Sequence, residues 1–396
     1  MKKRIAIVLD FWDYSFNGTA VSTQRFIAEI EKQGFEFVIL ATGKPAPNKV
    51  IFKPFSFPII KMILDKMKSP LALPDEKLIK QTLASCDLVH VQIPFFLGAK
   101  VIKIASQMEL PIVSSFHVQP ENILKNLKIK PKFLICWLYQ LFIKLFYAKS
   151  DTVVCPSIFA KNMLFSQGLT KKTTVISNGI PDHFFFRPNS ERYINKQVFH
   201  LLSVGRLAHE KHQDLIIKAV AASKFIHKIK LTLVGAGPAE KYIKEQAEKY
   251  LKNRCEIESV SNKELIRLYR HCDLFIHAGE IELEGMSVME AMASGLPVVI
   301  SDSKDSAANS FAQNPLSLFH FPSQSDLTNK IDYWLANPKA RAEVAELNFR
   351  RATKYAHSSS CIALENIYRS LLKMDLKEEF DEDIVDFSLS RKVSNQ

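Results

Sequence analysis

Short runs rich in Val, Ile and Leu recur along this chain, separated by longer stretches with apolar residues every third or fourth position. In the first half the runs are "RIAIVLD", "FEFVILAT", "DLVHVQIP", "PIVSSFH", "DTVVCPS" and "TTVISNG". Between them lie helical stripes such as "TAVSTQRFIAEIEKQG", stopped by a glycine. After an irregular connector, "IPDHFFFRPNSERYINKQ", the pattern restarts with "HLLSVGRL", "KIKLTLVGAG", "DLFIHAG" and "LPVVISDS". Continuous apolar runs alternating with helices predict buried parallel strands, and the restart predicts two doubly wound α/β domains facing each other. The expected division is 1–180 and 181–354. A helix at about 355–372 is placed to pack back on the first domain, and the acidic stretch 373–396 is read as a tail outside any core. In such folds ligands bind beyond the carboxyl ends of the strands, so the cleft between the domains is the place to look for chemistry.

A total of 396 residues, 47% of them hydrophobic, suffices for two cores. The start, "MKKRIAIVLDFWD", has the basic opening of a signal peptide. Its apolar run, however, ends at Asp10 and alternates like a strand, so it is expected to be the first strand of a cytoplasmic protein. The longest apolar run, "FLICWLYQLFIKLFYA", includes Gln140 and Lys144 and falls short of the roughly 20 residues of a spanning helix. Six cysteines without Cys-x-x-Cys spacing point to free buried thiols in a reducing compartment.

Charge changes the picture. Residues 1–180 carry 24 Lys and Arg against 12 Asp and Glu, whereas the remainder carries 29 of each. An excess confined to one half calls for an anionic partner. With no nucleic-acid module in the sequence, an anionic lipid surface is the better match and nucleic acid is not expected. Lys125, Lys128, Lys130, Lys132, Lys144 and Lys149 interleave with Phe133, Trp137, Tyr139, Phe142 and Phe146, a composition suited to a membrane interface. Residues 57–71 form a second candidate. The alternative is a core helix with snorkelling lysines.

The candidate chemistry lies just after the strands. In "GRLAHEKHQDLI", Gly205 permits close backbone approach, and Arg206 and Lys211 offer a planar fork and a point charge, which suit a diphosphate. "GAGPAEKYI" has Gly235 at a tight turn but lacks the third glycine of a dinucleotide fingerprint. "AGEIELEGMSVMEAMASGLPVVISDS" crowds Glu280, Glu282, Glu284 and Glu290 around a turn and a helix start. Carboxylates this close oppose one another's ionisation unless cations or hydroxyls answer them. Ser287 and Glu290 fit a capping box, a purely structural use of Glu290. The same helix start, Gly285 to Val288, could offer amides to a phosphate, while the carboxylates accept from sugar hydroxyls. In the first half, Asn17–Gly18 opens a helix after the first strand, and His117 stands at a strand end.

These segments resemble a family. "SVGRLAHEK", "LVGAGP" and "ELEGMSVMEAMASGLPVV" are similar to the retaining, nucleotide-sugar-dependent glycosyltransferases of family four, which have the GT-B architecture of two facing Rossmann-like domains. "PDEKLIKQTL", "IPFFLGAKVIKIASQMELPIVSSFHVQPENI", "CPSIFAKN" and "KIDYWLANP" narrow the likeness to bacterial glucosyltransferases of membrane lipids, cholesterol α-glucosyltransferases first and diacylglycerol glucosyltransferases next.

The resemblance implies a hexosyltransferase taking glucose from UDP-glucose to a lipid hydroxyl, on the inner face of the cell membrane, with no metal. It implies that Arg206 and Lys211 neutralise the diphosphate, that Glu290 holds the ribose, and that Glu282 meets the donor sugar. Gly205, Gly235, Glu284, Gly285, Met286 and Ser287 would line the donor site, His117 would bind the sugar's 6-hydroxyl, and Gly18 would let its loop approach the phosphates. The family usually has an aromatic or apolar residue where this chain has Glu284. A saccharide acceptor of lipopolysaccharide or capsule type, or 2-epimerisation of a nucleotide sugar, are the competing reactions on the same scaffold.

Overall fold

The computed structural model describes residues 2–13, 17–55, 70–126, 131–188, 190–194 and 196–377. Among them the strands of the first half are β1 (Lys3–Val8), β2 (Phe35–Ala41), β3 (Lys49–Ile51), β4 (Leu88–Val91), β5 (Ile112–Ser115), β6 (Thr152–Cys155) and β7 (Thr173–Val175). They form one parallel sheet in the order β3-β2-β1-β4-β5-β6-β7. The second half contributes β8 (Phe199–Val204), β9 (Ile229–Val234), β10 (Cys255–Glu258), β11 (Leu274–His277), β12 (Val298–Ser301) and β13 (Leu318–Phe319), also parallel, in the order β10-β9-β8-β11-β12-β13. Each order reverses beside its first strand, at β1/β4 and at β8/β11, and a crevice opens at such reversals.

Each of the ten runs read as strands holds one. The three strands that the pattern did not announce, β3, β10 and β13, are two to four residues long and close the edges of the sheets. An edge strand is covered on fewer sides, so its side chains need no apolar run: β10 reads "CEIE" and alternates half-buried with exposed.

Helices cover both faces of each sheet. Gly18–Ile30 starts where the Asn17 side chain accepts from the amides of Thr19 and Ala20, at 3.0 and 3.4 Å. It buries Ala20, Thr23, Ile27 and Ile30 and, after a further short turn, the chain reverses at Gly34, whose φ of 92° favours glycine. The helix His357–Leu371 belongs in space to the first sheet. Its Cys361, Ala363, Leu364 and Tyr368 enter one core with Ile5, Ile7, Phe35 and Phe37. Tyr368 Oη also lies 2.7 Å from His90 Nδ1, whose other nitrogen is 2.7 Å from Ser115 Oγ.

The long apolar run forms the helix Lys132–Leu145, and no helix among the described residues is long and apolar enough to cross a membrane. The helix and the residues just after it divide the aromatic side chains between two roles. Tyr139, Phe142 and Phe146 are buried in the core, whereas Phe133 and Trp137 are 70% and 57% exposed. Lys128 and Lys130, residues 57–69 of the second candidate segment, and the tail from 378 onward lie outside the described residues. All six cysteines are free, and Cys136, unlike the buried thiols expected, is exposed on this same helix.

Candidate functional site

The cleft is built from loops that follow β1, β5, β8, β9 and β11. The first two second-domain loops touch. A Cβ on Gly235 (φ 152°) would fall 2.0 Å from the Gly205 carbonyl oxygen, and one on Gly237 would fall 2.3 Å from that of Leu207. Gly235 is thus required by its neighbour's backbone before any ligand is considered. Across the cleft, Gly18 faces the helix Met286–Ala293: a Cβ there would sit 3.6 Å from Met286 Sδ.

The helix Met286–Ala293 differs from the sequence reading at its start. Its N-cap is Gly285 at φ 101°, no side chain caps it, and Ser287 lies inside the first turn. The capping box does not form because Glu290 points elsewhere. Its carboxyl accepts from Tyr269 Oη at 3.2 Å and pairs with Arg25 Nη1 at 3.5 Å, and Arg25 comes from the first domain. Gly285 fits because a Cβ would press on Ala308 at 2.9 Å. Glycine leaves the first amides uncovered, which is the condition for receiving an anion.

Each of the four crowded carboxyls has its own answer. Glu280 pairs with Lys125 and, at 2.8 Å, with His212. Glu282 accepts from Lys211 and from His277 at 3.0 Å. Burial would raise the Glu282 carboxyl, but the Lys211 ammonium and the His277 hydrogen bond outweigh it and hold the group at about 2. Glu284 does not face the cleft as a donor contact would. It is buried, and it accepts from the Asn178 side chain at 2.6 Å and from the Asn178 amide at 3.2 Å. Burial drives it up to about 7, against the opposing hydrogen bonds of Ser177 and Asn178. Glu290 is likewise raised by burial, an effect that Arg25 and Tyr269 partly offset.

Both cations expected at the diphosphate are engaged with acids: Lys211 with Glu282, and Arg206 with the buried Glu210. Burial opposes ionisation of Glu210, yet Arg206 holds its carboxyl below the usual range. Paired in this way the cations stay oriented, and a phosphate offers the same hydrogen bonds as the carboxylates they now hold. His117, half-buried beyond β5, lines a cavity with Gln92, Ser115 and Asn178. Burial lowers it to about 4, so it is neutral at pH 7 and suited to exchanging hydrogen bonds with a hydroxyl.

The structure therefore brings Gly18, His117, Gly205, Arg206, Lys211, Glu282, Gly285, Met286, Ser287 and Glu290 to facing strand ends and turns Glu284 toward the first domain. Sequence reasoning missed Arg25, Asn178, Glu210 and Tyr269, and it assigned Lys125 to the membrane face, whereas Lys125 reaches across to Glu280 of the second domain. Asn178 stood in the run "TTVISNG", but its partner lies 106 positions away. Further bonds cross between the domains from Gln119 to Asp305 O at 3.3 Å and from Ser157 to Leu283 O at 2.5 Å.

Two family descriptions match the chain in succession: Glycosyltransferase Family 4 over residues 16–184 and Glycosyl transferases group 1 over residues 188–351. The α-monoglucosyldiacylglycerol synthase of Streptococcus pneumoniae is 26% identical over 320 residues, 75% of this chain and 70% of that protein. The catalytic domain of cholesterol-α-glucosyltransferase from Helicobacter pylori is 37% identical over 40% of this chain and 99% of that domain, with a TM-score of 0.37. Anabaena Alr3699/HepE, solved in complex with UDP, shares the fold at a TM-score of 0.72 and 17% identity, covering 93% of this chain and 100% of that one. Two successive family matches across a pair of facing parallel sheets place the chain among the GT-B glycosyltransferases of group 1 and family 4, as a nucleotide-sugar-dependent hexosyltransferase.

Proposed function

We propose that this enzyme moves glucose from UDP-glucose to the hydroxyl of a membrane lipid, a sterol or a diacylglycerol, with retention at the transferred carbon, while bound peripherally to an anionic leaflet. The observation that carries the donor side is the convergence of Arg206, Lys211 and the uncapped start of Met286–Ala293 on one cleft. Arg206 and Lys211 exchange Glu210 and Glu282 for the diphosphate oxygens, and the amides of Met286 and Ser287 accept what charge remains. Stabilising the leaving group with preset donors is the main catalytic demand of sugar transfer. Glu290 takes the ribose hydroxyls, Glu282 the donor sugar, and neutral His117 its 6-hydroxyl. The departing phosphate receives the proton of the attacking hydroxyl, so no protein base is required at that position.

The acceptor side rests on surface chemistry and kinship. Phe133 and Trp137 stand exposed on a helix of the half of the chain that carries the whole positive excess, and a relative that matches three quarters of the chain is named for glucosylating a diacylglycerol lipid. Incubating the full-length enzyme with a panel of UDP-hexoses and with cholesterol, diacylglycerol or lipopolysaccharide-type saccharides tests both halves. An α-linked glucolipid identified by mass and NMR is the expected product. Transfer confined to saccharides, or release of a 2-epimer without transfer, would overturn it.

A further inference from the structure

The chain passes from the first domain to the second through residues 176–180 and returns through 355–357, and these two passages bond to each other. Ile180 N donates to Tyr355 O at 2.7 Å, His357 N donates to Ile180 O at 2.9 Å, and His357 Nδ1 lies 3.2 Å from Asn178 O. A Cβ on Gly179 would fall 2.6 Å from His357 Cα, so the passages pack too closely to admit even one methyl group without rearrangement. At this crossing both passages between the two domains are held against each other.

Glu284 fastens the donor loop to that crossing. Its two carboxyl oxygens receive the backbone amide of Asn178, at 3.2 Å each, and one also receives the side-chain amide at 2.6 Å. Both residues are buried, at 5% and 7% exposure, so water cannot replace the bond. On its own loop Glu284 lies between Glu282 and Gly285. On the other side, Asn178 is a wall of the cavity that His117 lines. One buried hydrogen-bonded pair therefore joins the loop that carries Glu282 and Gly285 to a wall of the first-domain cavity that His117 also lines. An apolar residue at 284, as the family resemblance leads one to expect, would fill the space but could accept nothing from Asn178.

We propose that Glu284 is a positioning residue for the transfer step: through Asn178 it fixes the donor loop relative to His117, without touching the donor itself. This rests on the donor reading above and adds a residue whose loss should appear in turnover rather than in nucleotide affinity.

The test uses the full chain: wild type, Glu284→Leu, Asn178→Ala, both together, and the exchanged pair E284Q/N178D. In that pair the new carboxamide can accept the backbone amide and donate to the new carboxylate, restoring the bond with its direction reversed. UDP affinity is measured by calorimetry and transfer by steady-state kinetics. Each single variant is expected to lower kcat by about tenfold or more, with UDP Kd held within about threefold, and the combined variant should be no worse than either alone. The exchanged pair should regain most of the lost kcat. Should Glu284→Leu fail to fold, Glu284→Met, similar in length but without an oxygen acceptor, supplies the same comparison with Asn178→Ala. Losses that multiply, a fall in UDP affinity parallel to kcat, or an exchanged pair no better than Glu284→Leu would overturn the inference in an active enzyme. A wild type that neither binds UDP nor turns over any UDP-hexose would instead defeat the donor reading, and this one with it.

Discussion

Removing the Lys211 ammonium tests both its structural and its chemical role, because the structure separates their consequences. In Lys211→Met the chain keeps the aliphatic stem but leaves Glu282 with only His277. The carboxyl of Glu282 is held at about 2 against an ordinary 4.5. That gap corresponds to about 3 kcal/mol in favour of the ionised form, with the Lys211 charge as the leading cause and His277 next. A carboxyl depressed in the folded state contributes stability above its unfolded value and loses it as pH falls toward 2. At pH 7, then, the whole contribution is present and is what the variant forfeits. Both side chains are about one-fifth exposed, so solvent relieves part of the stranded charge and the net loss should be about 2 kcal/mol. For a domain of this size that is about 5 °C in Tm. Transfer should fall further, by about two to three orders of magnitude, the usual result of deleting one preset donor to a developing anion. Adding Glu282→Gln removes the stranded charge, so K211M/E282Q should regain the lost Tm while transfer stays abolished. Differential scanning calorimetry and product quantification read the two effects independently. Turnover of Lys211→Met within threefold of wild type would refute the catalytic assignment. Failure of the second substitution to restore Tm would refute the electrostatic one.

Three further outcomes are expected. Gly235→Ala places a methyl 2.0 Å from the Gly205 carbonyl and should cost about 2 kcal/mol or more of stability and weaken UDP binding, measured by thermal unfolding and calorimetry. Phe133→Ser with Trp137→Ser should reduce affinity for anionic vesicles at least about tenfold, since each aromatic side chain transferred from water contributes about 1.5–3 kcal/mol; undiminished sedimentation with vesicles would sink the membrane face. Glu284, raised to about 7 by burial, stabilises the fold fully below its unfolded value near 4.5 and loses that contribution as pH rises through 7. Urea titrations of wild type should therefore show about 3 kcal/mol lost across that window relative to Glu284→Gln, and parallel curves would contradict it.

The sequence made the strand runs legible because a parallel strand covered on both faces is mostly apolar, as β4 (LVHV) and β12 (VVIS) are, each with one polar residue that is hydrogen-bonded. It could not announce β3 and β13, whose three and two residues lie at sheet edges. In the candidate site, local spacing identified residues that follow strands, such as Arg206, Lys211 and His117. It left two readings of the start of Met286–Ala293 open, a capping box and a free helix start, because Ser287 and Glu290 have the spacing of a cap; the approach of Arg25 and Tyr269 that takes Glu290 away has no local signal. Arg25 and Asn178 carried no local signal of their roles, since their partners come from the other domain across more than a hundred residues of chain.

The helix His357–Leu371 has a consequence for how the molecule is made. Because Leu364 and Tyr368 complete the core around Ile5 and Ile7, the first sheet lacks one wall until the last described helix has left the ribosome. The second domain, whose core residues run from Phe199 to Val344, is synthesised complete before that happens. Synthesis order and folding order are therefore inverted: the amino-terminal half must wait, one flank open, for a segment made last. A nonsense codon anywhere before position 357 would strand that half with exposed apolar surface, and any attempt to express it alone must carry residues 357–371 along.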